Sequence, residues 1–248
     1  MEEPKPTTFG FQEVSPAEKT RLVNDVFHRV ARRYDLMNDV MSGGIHRFWK
    51  NQLIHMMKPS AQTHLLDVAG GTGDIAFRFL QACTQSHVTV CDMNPGMIEV
   101  GRDRALDRGI VKNLEWVCGD ASVLPFTTSS FDLYSIAFGL RNVTFREEAL
   151  REAFRVLKSG GKFFCLEFSK VHVPGLKELY HFYNFSFIPR FGAWIGQDRD
   201  AYQYLVESIA QFPDQQQLAG EIRQAGFEAV QVQSLSGGIV AIHQGIKR

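Results

Sequence analysis

Three aspartates stand where apolar runs end: Asp67 after Leu65-Leu66, Asp92 after Val88-Thr89-Val90-Cys91, and Asp120 after Trp116-Val117-Cys118-Gly119. The first leads into Ala69-Gly70-Gly71-Thr72-Gly73-Asp74, a glycine turn that opens a helix. A backbone can press against a nucleoside-sized ligand only where side chains are absent, and Gly70, Gly71 and Gly73 remove them beyond a parallel strand. This is a cofactor pocket, and the acids indicate which cofactor it takes.

Gly71-Thr72-Gly73-Asp74-Ile75-Ala76 fits the dinucleotide pattern G-x-G-x-x-G/A, with Asp92 at the distance of a ribose-binding acid. That match alone leaves an NAD-dependent oxidoreductase open. Asp67 argues against it, because a second carboxylate near the helix start repels a pyrophosphate but tolerates an ammonium. Asp92, with Met93 beside it, can accept ribose hydroxyl protons, and Asp120 with Ala121 can accept an exocyclic amine and select adenine. An amino-acid tail, a ribose and an adenine together describe S-adenosylmethionine. Each aspartate could instead cap a following helix or turn.

These residues need a sheet to carry them. From Thr63 the pattern alternates strand and helix over 64–68, 73–83, 87–92, 95–107, 114–118, 131–138, 145–157 and 161–168, which argues a doubly wound parallel sheet with helices on both faces. Two closing strands, about 227–234 and 238–246, meet at Gly237-Gly238 and read as antiparallel, after helices near 198–211 and 214–225. Upstream, Ser15-Pro16-Ala17-Glu18 offers an N-cap, a proline at the first helical position and a capping glutamate. A helix follows to about residue 34, and a second runs from Ile45 to Met57. Residues 1–14 read as a flexible arm, and 15–248 as one domain with N-terminal helices over 15–60 and a substrate-covering insertion over 170–212.

The 248 residues suit one such domain, and 27 basic against 27 acidic residues give no overall field to draw in nucleic acid. Cys83, Cys91, Cys118 and Cys165 sit among apolar residues and read as reduced, buried thiols. The histidines lack metal-ligand spacing, so no metal is expected. Met1-Glu2-Glu3-Pro4-Lys5-Pro6 resembles neither a secretory signal nor an arginine-rich transit segment, which favours a bacterial cytoplasm, with a processed mitochondrial matrix protein as the alternative.

The strand-end acids, the glycine turn and Arg155-Val156-Leu157-Lys158-Ser159-Gly160-Gly161 resemble class I S-adenosylmethionine-dependent methyltransferases. That likeness implies a Rossmann-like α/β fold: a seven-stranded, mostly parallel sheet with an antiparallel last strand. A narrower likeness lies in Tyr34-Asp35-Leu36-Met37-Asn38-Asp39, Gly44-Ile45-His46-Arg47-Phe48-Trp49-Lys50, Phe138-Gly139-Leu140-Arg141-Asn142-Val143-Thr144, Leu166-Glu167-Phe168-Ser169 and Tyr202-Gln203-Tyr204-Leu205-Val206-Glu207-Ser208-Ile209. These resemble the ubiquinone and menaquinone biosynthesis C-methyltransferases, which methylate a ring carbon of a polyprenylated benzoquinol or naphthoquinol. The resemblance places cofactor contacts at Thr72, Asp92, Asp120 and Ala121. Ala69 departs from the class I pattern, where a glycine is usual, and Ala137 from the narrower one, where a serine is frequent. It also implies a homodimer or a quinone-biosynthesis complex.

Methyl transfer to carbon needs a ring carbon held in line with a sulfonium methyl and a phenolate to enrich it. Arg141 and Asn142 follow the fourth strand of the alternation, and Tyr34 ends the first helix. We expect Arg141 to fix the quinol oxygen or a bridging water, with Asn142 and Tyr34 completing the hydrogen bonds. An always-charged guanidinium suits stabilisation better than proton removal. Tyr180 to Trp194 holds seven aromatics, suited to a polyprenyl tail, a membrane face, a packed lid or a dimer contact. O-methylation of a phenol and a non-catalytic subunit of a quinone-making assembly remain open.

Overall fold

Apolar runs of five to seven residues build the centre of the molecule: β3 (His64–Val68), β4 (His87–Asp92), β5 (Leu114–Cys118) and β6 (Phe131–Ala137). The longer β7 (Leu157–Phe168) and the closing β8 (Glu228–Leu235) and β9 (Val240–Ile246) complete one sheet in the order β5-β4-β3-β6-β7-β9-β8. Strands β3 to β7 pair in parallel, whereas β9 runs antiparallel to both β7 and β8. The expected antiparallel last strand is therefore β9. The computed structural model describes residues 6–30, 39, 42–171 and 199–248.

Strands buried on both faces need helices on both sides. Leu65, Val88, Val90, Leu133, Phe164 and Leu166 point into one core, shared with α1 (Pro16–Val30), α2 (His46–Met57), α3 (Asp74–Ala82) and α6 (Arg199–Gln211). Leu66, Val68, Tyr134, Ile136, Phe163 and Cys165 point into the other, with α5 (Arg146–Val156) and α7 (Gln215–Gln224). Each large apolar side chain so buried contributes roughly 1.5–3 kcal/mol. Helix α4 (Pro95–Asp107) starts at Asn94, whose side chain accepts from the Met97 N–H. Ser15 Oγ accepts from the Glu18 N–H, so the expected cap of α1 is present.

Three readings change. The arm is a β-hairpin from Thr7 on: β1 (Thr7–Phe9) pairs with β2 (Gln12–Val14), Phe9 stacks on Tyr204 at 4.1 Å, and the Phe11 N–H donates to Glu207 Oε2. Residues Leu157 to Gly160 join β7, where the alternation starts the strand at 161, and Gly160 and Gly161 bond with Lys247. Cys118 is exposed and Cys83 half-buried, so only Cys91 and Cys165 are the buried thiols expected.

Among the described residues, no helix is long and apolar enough to cross a membrane. Tyr34, most of the insertion expected over 170–212 and the aromatic run Tyr180 to Trp194 lie outside the described residues.

Candidate active site

The sheet order reverses between β3 and β6, with β4 and β5 laid down to one side and β7 to the other. Loops diverging at such a point leave a crevice beyond the strand ends. Here it is a cleft of about 750 Å3 whose walls include Gly71, Asp92, Met93, Asp120, Ala121 and Asn142. Six of the expected site residues thus converge. Helix α1 closes one side through Thr20, Val23, Asn24 and Phe27.

The glycine turn is shaped by what surrounds it. A Cβ on Gly70 would stand 2.7 Å from Val90 and 2.8 Å from Asp67 Oδ2. One on Gly73, at φ +84°, would stand 2.6 Å from Trp116, so Gly73 tightens the turn without lining the cleft. Ala69 also has positive φ, +49°, and faces Gly139, where an added Cβ would come within 2.5 Å of the Ala69 methyl. The bare Gly139 leaves room for the Ala69 methyl.

Asp92 fastens the turn to β4. The Gly71 N–H donates to its Oδ2 and the Asn94 N–H to its Oδ1, each at 2.8 Å. Burial raises its pKa, opposed by these two bonds. Each oxygen keeps a lone pair for a ribose hydroxyl. Asn94 in turn donates to Asn24 of α1, at 2.7 Å from the side-chain oxygen, which pins the N-terminal helix over the cleft. Asp120 Oδ1 accepts from both the N–H and the hydroxyl of Ser122, and this holds its carboxylate at the cleft wall.

Asp67 and Thr72 lie next door. They line a smaller cavity of about 370 Å3 with Lys50, Asp74, Ala137 and the glycine loop. Thr72 Oγ1 accepts from Arg104 at 2.8 Å, so its hydroxyl is turned toward α4. Asp67 is fully buried; Ser135 donates to Oδ1 at 2.7 Å, and Oδ2 has no partner among the described residues. Burial pushes its pKa up to about 7 against the pull of the Ser135 bond.

Arg141 departs from its expected position. It does not line the cleft, and its guanidinium turns back to donate to Glu167 Oε1 at 2.8 Å and to the Phe138 carbonyl. Both partners are buried, with side chains 4% and 1% exposed, and burial raises the Glu167 pKa while Arg141 opposes it. A buried charge holds its place only when paired, which explains the turn inward. Its neighbour Asn142 does reach the cleft, and Tyr204 donates to Asn142 Oδ1 at 3.0 Å. That leaves Asn142 Nδ2 and Arg141 Nε as buried donors without partners among the described residues.

Glu167, Tyr204 and Lys50 were missed as functional candidates. All three lie inside the strings carrying the family likeness, and Lys50 is additionally a charge on the buried face of α2.

A parallel sheet with one reversed closing strand, a glycine turn at its switch point and acids at the cleft define a Rossmann-like, nucleoside-binding methyltransferase. Solved structures agree on the fold. A SAM-dependent methyltransferase from Thermotoga maritima superimposes with a TM-score of 0.64 at 20% identity, covering 91% of this chain and all of that one. One from Aquifex aeolicus gives 0.60 at 13% identity, covering 95% of this chain and 100% of its own.

The model of the ubiE/COQ5 methyltransferase family matches residues 14–247. The ubiquinone/menaquinone biosynthesis C-methyltransferase UbiE of Paracoccus denitrificans is 54% identical, covering 99% of this chain and 98% of the relative. The 2-methoxy-6-polyprenyl-1,4-benzoquinol methylase, mitochondrial, of Arabidopsis thaliana is 51% identical, covering 97% and 90%. The chain belongs to the ubiE/COQ5 methyltransferase family. Family and fold imply S-adenosylmethionine as methyl donor, and the unpartnered Asp67 oxygen and bare Gly70 fit its ammonium-bearing end.

Proposed function

We propose that this protein transfers a methyl group from S-adenosylmethionine to a ring carbon of a polyprenylated benzoquinol or naphthoquinol in ubiquinone and menaquinone biosynthesis. The observation that carries it is the 54% identity to a UbiE across 99% of the chain, the whole cleft included. S-adenosylmethionine, once bound, supplies an activated methyl for in-line displacement.

The chain's own residues hold the nucleoside and prepare the ring. Asp92 and Asp120 accept from the ribose and the adenine amine, with Met93, Ala121 and Gly71 as apolar and backbone walls. Thr72 and Gly73 shape the turn. Asn142 donates from Nδ2 to the quinol oxygen, and the positive charge of Arg141 beside it helps to stabilise the charge developing on that oxygen. Tyr204 fixes the amide by donating to its oxygen. Tyr34 is assigned to the same hydrogen-bond set, and the aromatic run Tyr180 to Trp194 to the polyprenyl tail. That tail is lipid-soluble, so we assign the reaction to a membrane face, the bacterial inner membrane or its mitochondrial counterpart.

Incubating the purified protein and donor with demethylated quinols of both ring types, then locating the methyl by mass spectrometry and NMR, tests the reading. A new carbon–methyl bond is expected; a methyl ether would reassign the chain to O-methylation. Arg141→Ala should retain donor binding and lose most turnover, and near-normal methylation would remove Arg141 from the mechanism.

A further inference from the structure

Lys50 is only 5% exposed, although it carries a charge on a helix with a solvent face available. Its Nζ lies 2.8 Å from Asp74 Oδ2, at the first turn of α3. Arg78 also holds Asp74, through the other oxygen at 3.0 Å. Burying a lysine costs free energy that a single ion pair recovers only in part. The ammonium also has three N–H groups, and Asp74 takes one.

The cavity facing Lys50 is lined on its other side by Asp67, whose Oδ2 is buried without a partner among the described residues. A lysine with two N–H groups beyond its bond to Asp74 and an unpartnered carboxylate oxygen therefore line one small chamber. It adjoins the larger cleft, with Ala69, Gly71 and Phe138 lining both. A phosphate is disfavoured there by Asp67 and Asp74, and a metal ion by Lys50. A group with one charge of each sign fits, and an α-amino acid is such a group.

We propose that Lys50 binds the α-carboxylate of the methyl donor's amino-acid tail, while the free oxygen of Asp67 accepts from its α-ammonium. This rests on S-adenosylmethionine being the donor and adds the residue that reads the tail. The cation comes from α2, outside the sheet, and α2 is docked by Trp49, which packs on Phe138 and Phe168 and donates to Ser236 at 2.8 Å. Donor binding is thereby coupled to the seating of the N-terminal helices.

Calorimetry with two ligands separates tail from nucleoside. S-adenosylhomocysteine carries the zwitterion; 5′-methylthioadenosine carries the same adenosine and sulfur without it. Lys50→Met should weaken S-adenosylhomocysteine at least ten-fold and change 5′-methylthioadenosine less than two-fold, with Lys50→Arg recovering most of the loss. Unchanged S-adenosylhomocysteine affinity, or equal weakening of both ligands, would overturn the assignment. If Lys50→Met does not fold, the wild-type protein still decides: the carboxamide of S-adenosylhomocysteine should bind at least ten-fold more weakly than the acid, and equal binding refutes the proposal. A wild-type protein that binds neither nucleoside would overturn the donor itself, an outcome distinct from failure of Lys50 alone.

Discussion

Replacing Asp67 by asparagine should stabilise the ligand-free protein, and by an amount that depends on pH in a defined way. The carboxyl is fully buried and its pKa rises from 3.8 to about 7, chiefly through desolvation. A raised acid pKa means that the folded state keeps a proton that the unfolded chain has released. Stability from this group is therefore complete below about pH 4, declines as pH climbs toward 7, and stays lost above it. Three units at ~1.4 kcal/mol each amount to roughly 4 kcal/mol. Asparagine keeps the shape and the acceptor for Ser135, but leaves an unpaired buried N–H group costing about 1–3 kcal/mol. The net gain at pH 8 is on the order of 1–3 kcal/mol, a rise of several degrees in Tm for a chain of this size. Urea unfolding of both proteins from pH 5 to 8.5 isolates the effect, because other titrating groups cancel in the difference. That difference should grow by up to ~1.4 kcal/mol per pH unit between about 5 and 7 and then level off. A pH-independent difference, or a less stable variant at pH 8, would refute the reasoning.

Two further substitutions probe the cleft's supports. Glu167→Ala strips the partner from a buried guanidinium and should cost about 3–5 kcal/mol by chemical denaturation; a loss under ~1 kcal/mol would mean that Arg141 is hydrated in solution and freer than its pairing indicates. Gly139→Ala drives a methyl to within 2.5 Å of Ala69 and should cost about 1–3 kcal/mol, with weaker donor binding in a titration. Pairing it with Ala69→Gly should restore most of both losses, and strict additivity in that double-mutant cycle would show that the two loops do not touch.

The parts of the molecule legible in advance are those whose signal is local. Strand β4 announces itself as a run of Val88, Val90 and Cys91 ending in an acid, and α1 by the serine that caps it. The hairpin of β1 and β2 has no such signal: three-residue strands carry no periodicity, and they fold against Tyr204, nearly two hundred residues away in sequence. The same division runs through the site. Asp92 and Asp120 could be placed from the strands they end or follow, since the carboxyl edge of a parallel sheet is a position in space as well as in sequence. Arg141 was placed correctly along the chain, yet its direction was not legible, because that is set by Glu167 on the neighbouring strand, a residue 26 positions later. Lys50 shows the limit most sharply. On a helix a lysine reads as a solvent-facing charge; the packing of Trp49 turns this one inward, onto Asp74 and into the cavity that the unpartnered Asp67 oxygen also lines. Buried charges are costly enough that each needs a partner, and the proposed donor carboxylate would take the N–H groups of Lys50 that Asp74 leaves over.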